Sequence, residues 1–274
     1  VQLIDVGRST EDRPIRGVIV SDTADPIASW RILGAHHGDE LPTPEVVLAL
    51  AEALAEAPSL LPTGHAVWLI PQVNPDGLSR VSRYSADGVD LNRNYGHEWD
   101  AETLGAGTAP FSEPETRAIR TLSQWNPFHA GLSLHAGAHN IGWVWNHTTE
   151  TAPDSELLSA IAARYAEQTG DPDFWITNGA EWYITHGDTT DWTYGRLGTL
   201  DFTVEVSVDK APPVSQLPEI IDAHMPAMLD LLTAHPILTG RVIDAETGQG
   251  IPATVTLSGL SLIHISEPTR RYEI

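Results

Sequence analysis

The stretch Trp30-Arg31-Ile32-Leu33-Gly34-Ala35-His36-His37-Gly38-Asp39-Glu40 joins an apolar run to a cluster of polar side chains. The apolar run is typical of a buried strand, and open α/β sheets bind their ligands where such strands end. His37 and Glu40 are three positions apart, and imidazole nitrogen and carboxylate oxygen are both good ligands for Zn²⁺. The stretch therefore predicts one strand of an α/β sheet that ends in part of a metal site.

The spacing alone is a weak indication, because such pairs arise by chance and most histidines are ordinary surface or core residues. His36 is the other histidine of the stretch, but it lacks the three-residue spacing to Glu40. A catalytic zinc typically has three protein ligands and a water, so we expect a third ligand at the end of a distant strand. His135, which ends the segment Leu-Ser-Leu-His, fits that place. The alternative is a buried histidine with ordinary hydrogen bonds.

The composition limits the class of protein. The chain has 274 residues, 41% hydrophobic content and nine tryptophans, which indicates a folded protein with one large core or two unequal ones. It has no cysteine, so disulfides are excluded and any zinc must be held by His, Asp or Glu. The net charge of −22 disfavours nucleic acid and anionic membranes as partners. Solubility, adaptation to salt, or attraction of cationic substrates would each explain that charge.

Strand-like segments alternate with helical ones, which predicts an α/β fold with a mixed, mostly parallel sheet and helices on both faces. No apolar run approaches the roughly 20 residues that a membrane span needs. Ser112 and Glu115 have the spacing of a capping box that opens a helix. The predicted strands are residues 17–20, 30–35, 66–71, 130–135, 142–145 and 202–207, and the predicted helices are residues 44–57, 114–124, 154–169 and 217–234.

The pattern changes at the C-terminal end. Residues 239–244 and 253–257 alternate around a Gly/Pro turn, which predicts a β-hairpin that opens an all-β module in residues 236–259. Residues 260–274 can be read from codons that resemble an adapter used to prepare sequencing libraries. We therefore expect the catalytic domain to be residues 1–235 and the tail to be non-native, with no role for His264 or Glu267.

Further motifs carry a resemblance to a known family. They are Arg8-Ser9-Thr10-Glu11-Asp12-Arg13-Pro14, Pro71-Gln72-Val73-Asn74-Pro75-Asp76-Gly77 and Asp87-Gly88-Val89-Asp90-Leu91-Asn92-Arg93-Asn94-Tyr95. With these, residues 6–232 resemble the zinc metallocarboxypeptidase family. Residues 177–183, 191–194 and 202–210 resemble its carboxypeptidase N/E-like branch most closely. In that branch a transthyretin-like β-sandwich follows the catalytic domain, and a helix precedes the first strand, so we expect a chain truncated at both ends.

The resemblance implies a catalytic centre with one zinc ion. His37, Glu40 and His135 align with its three ligands, and Glu205 aligns with the carboxylate that takes a proton from the attacking water. Arg83 lies nine residues before Asn92, the branch's spacing for the arginine that stabilises the oxyanion. Arg80 is the alternative for that role.

The resemblance also implies a site for the end of a peptide. Asn92 and Arg93 align with the pair that binds the terminal carboxylate, a task suited to the planar fork of arginine. Tyr183 aligns with a mobile tyrosine that closes over the terminus, and Asp90 with an aspartate that orients the first zinc histidine. Thr190 occupies the side-chain pocket, where it supplies neither charge nor a large apolar surface. The sequence therefore does not predict that this chain shares the branch's preference for a C-terminal Lys or Arg.

We expect a zinc-dependent metallocarboxypeptidase that releases single L-amino acids from the C-termini of peptides or proteins. One alternative is an amidase or deacylase of the same fold that acts on cell-wall peptides or acylated amino acids. A lesser alternative is a non-catalytic binding protein, although such members usually lose a ligand or the general base. We also expect a secreted or cell-envelope protein of bacterial or archaeal origin.

Overall fold

The alternation of strands and helices builds one eight-stranded mixed sheet in the computed structural model, which describes residues 1–234. Its order is β1-β2-β4-β3-β5-β8-β6-β7. The pairs β3/β4, β3/β5, β5/β8 and β6/β7 are parallel and the others antiparallel, so the predicted mixed, mostly parallel sheet is confirmed. The strands are β1 (Gln2–Arg8), β2 (Pro14–Ser21), β3 (Ala28–Leu33), β4 (His65–Ile70), β5 (Ala130–His135), β6 (Asn140–Trp143), β7 (Trp175–Asn178) and β8 (Leu200–Glu205).

Helices cover both faces of the sheet, as predicted. On one face α1, α4 and α7 bury apolar side chains such as Leu50, Leu158 and Met228 in the larger core cluster. On the other face α3 buries Ile119 and Leu122 in a second cluster. The helices are α1 (Pro42–Glu56), α2 (Pro75–Arg80), α3 (Pro114–Trp125), α4 (Ser155–Thr169), α5 (Gly179–Trp182), α6 (Thr189–Leu197) and α7 (Leu217–Ala234).

The predicted capping box before α3 is wrong. Glu113, rather than Ser112, is the residue that precedes the first helical position, and its side chain makes no capping hydrogen bond. The Ser112 hydroxyl instead donates to Glu113 Oε1 at 2.8 Å, and Ser85 Oγ donates to Glu113 Oε2 at 3.0 Å. Pro114 begins helix α3, because its fixed φ suits the first helical position and the N–H that it lacks would have no intrahelical partner there.

A buried polar network fastens the layers together. The Arg31 guanidinium on β3 pairs with Asp201 on β8, and both side chains are fully buried. Arg31 also donates to Ser123 Oγ on α3 at 2.6 Å, and Thr193 Oγ1 on α6 donates to Asp201 Oδ2 at 2.6 Å. Removing one partner of such a pair costs about 3–5 kcal/mol, because the other charge stays buried.

The sheet order brings three strand ends to one place. The parallel strands β3, β5 and β8 are neighbours, so their carboxyl ends lie at the same edge. His135 and Glu205 are direct partners in the register of β5 and β8, and His37 follows the end of β3. This edge of the sheet therefore collects the predicted catalytic side chains.

The predictions for residues 236–259 and 260–274 lie outside the described residues. Among residues 1–234, no helix has the length and apolar character needed to cross a bilayer.

Candidate active site

His37, Glu40 and His135 converge on one buried point. Their nearest ligand atoms all lie within 4.8 Å of one another. His37 Nδ1 lies 2.9 Å from Glu40 Oε1, and His135 Nδ1 lies 2.9 Å from Glu40 Oε2. The two Nδ1 atoms are 3.2 Å apart. Two imidazoles and one carboxylate that point at a common centre form a donor set for a divalent metal.

The backbone around residues 34–43 fixes this arrangement. A Cβ on Gly38 would lie 2.0 Å from the carbonyl carbon of Gly77, so only glycine permits this approach of two loops. Thr43 Oγ1 accepts from the Ala35 N–H at 3.0 Å and donates to the Glu40 carbonyl at 2.9 Å. These contacts hold the loop between β3 and α1 in one conformation, and with it the spacing of His37 and Glu40.

Asp90 holds His37 from the side away from Glu40. Its Oδ1 lies 3.0 Å from His37 Nε2, and its Oδ2 accepts from Arg83 Nε at 2.8 Å. Burial opposes a charge on the ring, but the carboxylates of Glu40 and Asp90 outweigh it and raise the pKa of His37. Burial also disfavours ionised Glu40, yet His37 and His135 hold the pKa of Glu40 well below its usual range. The cluster thus contains an ionised carboxylate that is available to a cation.

Glu205 lies beside this cluster with a free oxygen. The residue is 7% exposed, and its Oε2 is buried without a hydrogen-bond partner in the described part of the chain, residues 1–234. Burial, followed by the nearby Glu40 carboxylate, raises the pKa of Glu205 to about 7. Glu205 lines the same cavity as His37, Glu40, His135 and Arg83. A carboxylate that ionises near neutral pH next to a metal site is suited to general-base chemistry.

Asn92, Arg93 and Tyr183 line the same cavity. Asn92 is held in place because its Oδ1 accepts from the Thr189 N–H at 3.0 Å. Arg93 Nη1 donates to the Asn92 carbonyl at 2.7 Å. Tyr183 follows α5 and remains 47% exposed, so its ring stands at the mouth of the cavity. The site therefore presents one guanidinium and one amide in the cavity of the metal ligands, and Asn92 Nδ2 lies 3.4 Å from His135 Nε2.

The alternatives for two residues lie outside this cavity. His36 is fully buried, with Nε2 2.9 Å from Tyr95 Oη and 3.0 Å from Thr189 Oγ1, and its ring stacks behind His135 rather than lining the cavity. Arg80 pairs with Glu11 on the protein surface. Arg83, in contrast, lines the cavity.

Thr190 is buried behind the wall of a second cavity rather than at its surface. Its hydroxyl donates to Asp188 Oδ1 at 2.9 Å and accepts from Asn146 Nδ2 at 2.8 Å. Asn146 and Asp188 line this second cavity, together with Asn140. No spacing in the sequence singles out these three residues, so they were not predicted.

Lys210 is a further residue whose place the sequence did not indicate. Its Nζ lies 3.0 Å from Glu40 Oε1 and 3.4 Å from Asp39 Oδ2, at the rim of the first cavity. It is the only lysine of the chain, which is the one signal that set it apart. Lys210 brings a positive charge to the acidic side of the site.

The residues present fit a zinc ion. The three ligand residues offer two nitrogens and one oxygen, all three are buried, and Asp90 occupies the remaining nitrogen of His37. A histidine whose second nitrogen is held by a carboxylate is the usual arrangement at zinc sites. The neighbouring unpartnered Glu205 oxygen supplies the polar group that a water in the open position would meet.

Comparison with known proteins gives a consistent family. The description "Zinc carboxypeptidase" belongs to the family model that matches residues 1–227. A carboxypeptidase of Arabidopsis thaliana is 28% identical over 290 residues, which are 95% of this chain and 57% of the relative. Mouse carboxypeptidase D is 26% identical over 316 residues, 99% of this chain but 22% of the relative. The human carboxypeptidase N catalytic chain is 28% identical, and the alignment covers 93% of this chain and 69% of the relative. The chain thus spans only part of these relatives.

Solved structures share the fold. Bovine thrombin-activatable fibrinolysis inhibitor superposes with a TM-score of 0.77 at 22% identity, over 85% of this chain and 90% of that one. The murein-tripeptide amidase of Escherichia coli superposes with a TM-score of 0.60 at 25% identity, over 85% of this chain and 92% of the amidase. The fold is therefore shared by peptidases and by an amidase.

Proposed function

The chain belongs to the zinc carboxypeptidase family, and on that premise we propose that it hydrolyses the C-terminal peptide bond of peptides or proteins and releases single L-amino acids. The observation that carries this proposal is one cavity that contains the zinc ligands, an unpartnered carboxylate at Glu205, and the Asn92–Arg93 pair. The first two groups suit hydrolysis of an amide, and the pair suits a free carboxylate at the substrate's end.

His37, Glu40 and His135 would hold the zinc. When bound, zinc supplies a Lewis acid that polarises a carbonyl and lowers the pKa of water toward about 7. Glu205 accepts the proton of the attacking water and passes it to the departing amine, since its free oxygen faces the same cavity. Arg83 donates hydrogen bonds to the carbonyl oxygen as negative charge develops there.

The remaining residues bind the substrate. Arg93 receives the terminal carboxylate through two parallel hydrogen bonds, and the Asn92 amide adds a third donor. Tyr183, half-exposed at the mouth, covers the bound terminus and excludes water. Asp90 keeps the His37 ring in the orientation that directs Nδ1 at the metal.

An amidase that acts on cell-wall peptides is the second candidate, and the similarity to the murein-tripeptide amidase supports it. Such relatives generally lack a clamp for a terminal carboxylate, so Asn92 and Arg93 in the cavity favour the carboxypeptidase. A non-catalytic binding protein is disfavoured, since the ligands and the base are all present. Secretion or a cell-envelope location, and a bacterial or archaeal origin, stay predictions.

A pair of peptides that differ only at the C-terminus tests the proposal. The zinc-loaded protein should release the last residue from a peptide with a free carboxylate, and a chelator should stop the release. The same peptide with a C-terminal amide should react at least about tenfold more slowly, because Arg93 loses its partner. Equal cleavage of both peptides, or cleavage only of a murein tripeptide, would support the amidase instead.

A further inference from the structure

The second cavity adjoins the carboxylate clamp. Asn92, Arg93, Trp182, Tyr183 and Thr203 line both cavities. The inference below rests on the proposed function, because a substrate whose terminal carboxylate lies on Arg93 places its last side chain in this second cavity. The residues that line it therefore determine which C-terminal amino acid the enzyme accepts.

Most of the side chains that line this cavity are polar, and two aromatic rings lie beside them. Asn140, Asn146, Thr185, Asp188 and Thr203 contribute amide, hydroxyl and carboxylate groups. Gly142 and Gly179 line it without side chains, and the Asn146 amide fills the place that a side chain of Gly179 would take. A large apolar side chain offers no hydrogen bond to any polar group of the cavity that lacks a partner, and leaving such a group buried and unpaired is unfavourable.

The carboxylates near the cavity already have partners. Asp188 precedes α6, and its oxygens accept from the Asp191 N–H at 2.9 Å and from the hydroxyls of Thr190 at 2.9 Å and Thr185 at 2.8 Å. The positive end of the helix dipole adds to its stabilisation. Asp191 pairs with His147 at 2.6 Å. Neither carboxylate therefore requires a cation from the substrate.

Asn140 is a polar residue of the cavity whose side chain has no partner among residues 1–234. It is fully buried, and neither Nδ2 nor Oδ1 has a hydrogen-bond partner among the described residues. In the register of β6 and β8 it lies opposite Glu205, and Gly142 lies opposite Thr203. Directly opposed residues point to the same face of a sheet, so Asn140 lies on the face that carries Glu205, and it lines the cavity.

We propose that Asn140 makes the enzyme selective for a C-terminal residue with a carboxamide side chain, glutamine above all. A carboxamide offers one donor and one acceptor, and it satisfies both atoms of the Asn140 amide through two antiparallel hydrogen bonds. A cation satisfies only Oδ1 and a carboxylate only Nδ2. A site with unpaired buried polar groups discriminates strongly against ligands that leave them unpaired.

Four peptides that differ only in the last residue, Gln, Met, Lys or Ala, test this selectivity. We expect kcat/KM for Gln to exceed that for Met and Lys by at least about tenfold. In Asn140→Leu the ratio of Gln to Met should fall at least about tenfold. In Asn140→Asp, which keeps the size of the side chain, the ratio of Lys to Gln should rise. Zinc content, measured on each variant, reports whether the site is folded.

The outcomes separate this inference from the proposed function. If Lys or Met is released in preference to Gln, the role of Asn140 is overturned. The same holds if both Asn140 variants keep the kcat/KM ratios of the original protein. Either result leaves the carboxypeptidase activity intact. If the zinc-loaded protein releases no amino acid from any of the four peptides, the proposed function is contradicted. The proposed selectivity is then contradicted as well.

Discussion

Single residues around the zinc ligands control the geometry of the site. Asp90 is the clearest case, because it contacts His37 through one oxygen and Arg83 through the other. Its Oδ1 also accepts from the Asn92 N–H at 3.0 Å, so Asp90 contacts the backbone of the clamp as well. Its effect on the metal is therefore exerted through His37, and its effect on the carbonyl oxygen through Arg83.

We predict that Asp90→Ala weakens zinc binding by about 10–100-fold, since the His37 ring loses the hydrogen bond that orients it. Competition with a chromophoric chelator measures the affinity. The matched control is Asp87→Ala, an exposed aspartate of the same loop, which should bind zinc as the original protein does. Equal affinity of the Asp90 variant and this control would show that Asp90 does not support the metal.

The sequence could predict the residues of the zinc site because their order along the chain and their places at strand ends are both visible in it. The structure brings His37, Glu40, His135 and Glu205 into one cavity. Asn140, Asn146 and Lys210 could not be found in this way. Their positions depend on which strands and helix ends become neighbours, and an isolated amide or amine has no periodic pattern.

Elements differ in how well the sequence predicts them. The long helices α1, α4 and α7 and the central strands have clear apolar periodicity, and the structure places them within a few residues of the predictions. β7 was not predicted, because it is a four-residue edge strand whose first two residues are exposed. α6 was not predicted either, since its first turn buries polar side chains that bond to neighbouring loops.

At the scale of one helix, α7 contains a titrating group that affects stability. His224 is buried, with Nε2 donating to the Val206 carbonyl at 3.2 Å and Nδ1 accepting from Tyr165 Oη at 3.0 Å. Burial lowers the pKa of His224 to about 4. The unfolded chain binds this proton near pH 6.5 and the folded chain does not, so the stability that neutral His224 contributes is lost as the pH falls from about 6.5 toward 4.

We predict that the free energy of unfolding falls more steeply over this pH range in the original protein than in His224→Gln. The difference in slope should add up to about 3 kcal/mol at most. Urea titrations at several pH values measure it. The same substitution at His186, a partly exposed histidine, serves as the control. Parallel curves for the original protein and His224→Gln would contradict this account.

At the scale of the whole molecule, metal binding and folding are coupled. The three zinc ligands come from the loop after β3, the turn before α1 and the end of β5, so the site exists only when the sheet is assembled. A ligand that binds the folded state alone stabilises it by mass action, about 2.7 kcal/mol at a hundredfold excess over its Kd.

We predict that chelation lowers the melting temperature by about 5–10 °C, the range expected for that energy in a domain of this size. Differential scanning calorimetry with and without zinc measures the shift. Glu40→Gln should show a much smaller shift, because the amide that replaces the carboxylate is a poor zinc ligand. A melting temperature that does not respond to zinc would contradict a site assembled from these strands.

The fold as a whole was predictable, and the side-chain pocket was not. Alternating strands and helices specify a sheet covered on both faces, and the family motifs span almost all of the described residues. The resemblance placed Thr190 in the side-chain pocket, whereas the structure buries it behind Asn146 and Asp188. The side chains packed around Thr190 decide whether it reaches the surface of the pocket, and the pattern of the sequence does not show which side chains these are.

The most direct test of the central claim is the turnover of Glu205→Gln at equal zinc content. Glutamine has nearly the same shape, and no hydrogen bond to Oε2 is lost, so the variant should fold and bind zinc. We predict that kcat for release of a C-terminal amino acid falls by about 10²–10⁴, because the general base is removed. Turnover within a few-fold of the original, with zinc in place, would contradict the assignment of Glu205 and the mechanism built on it.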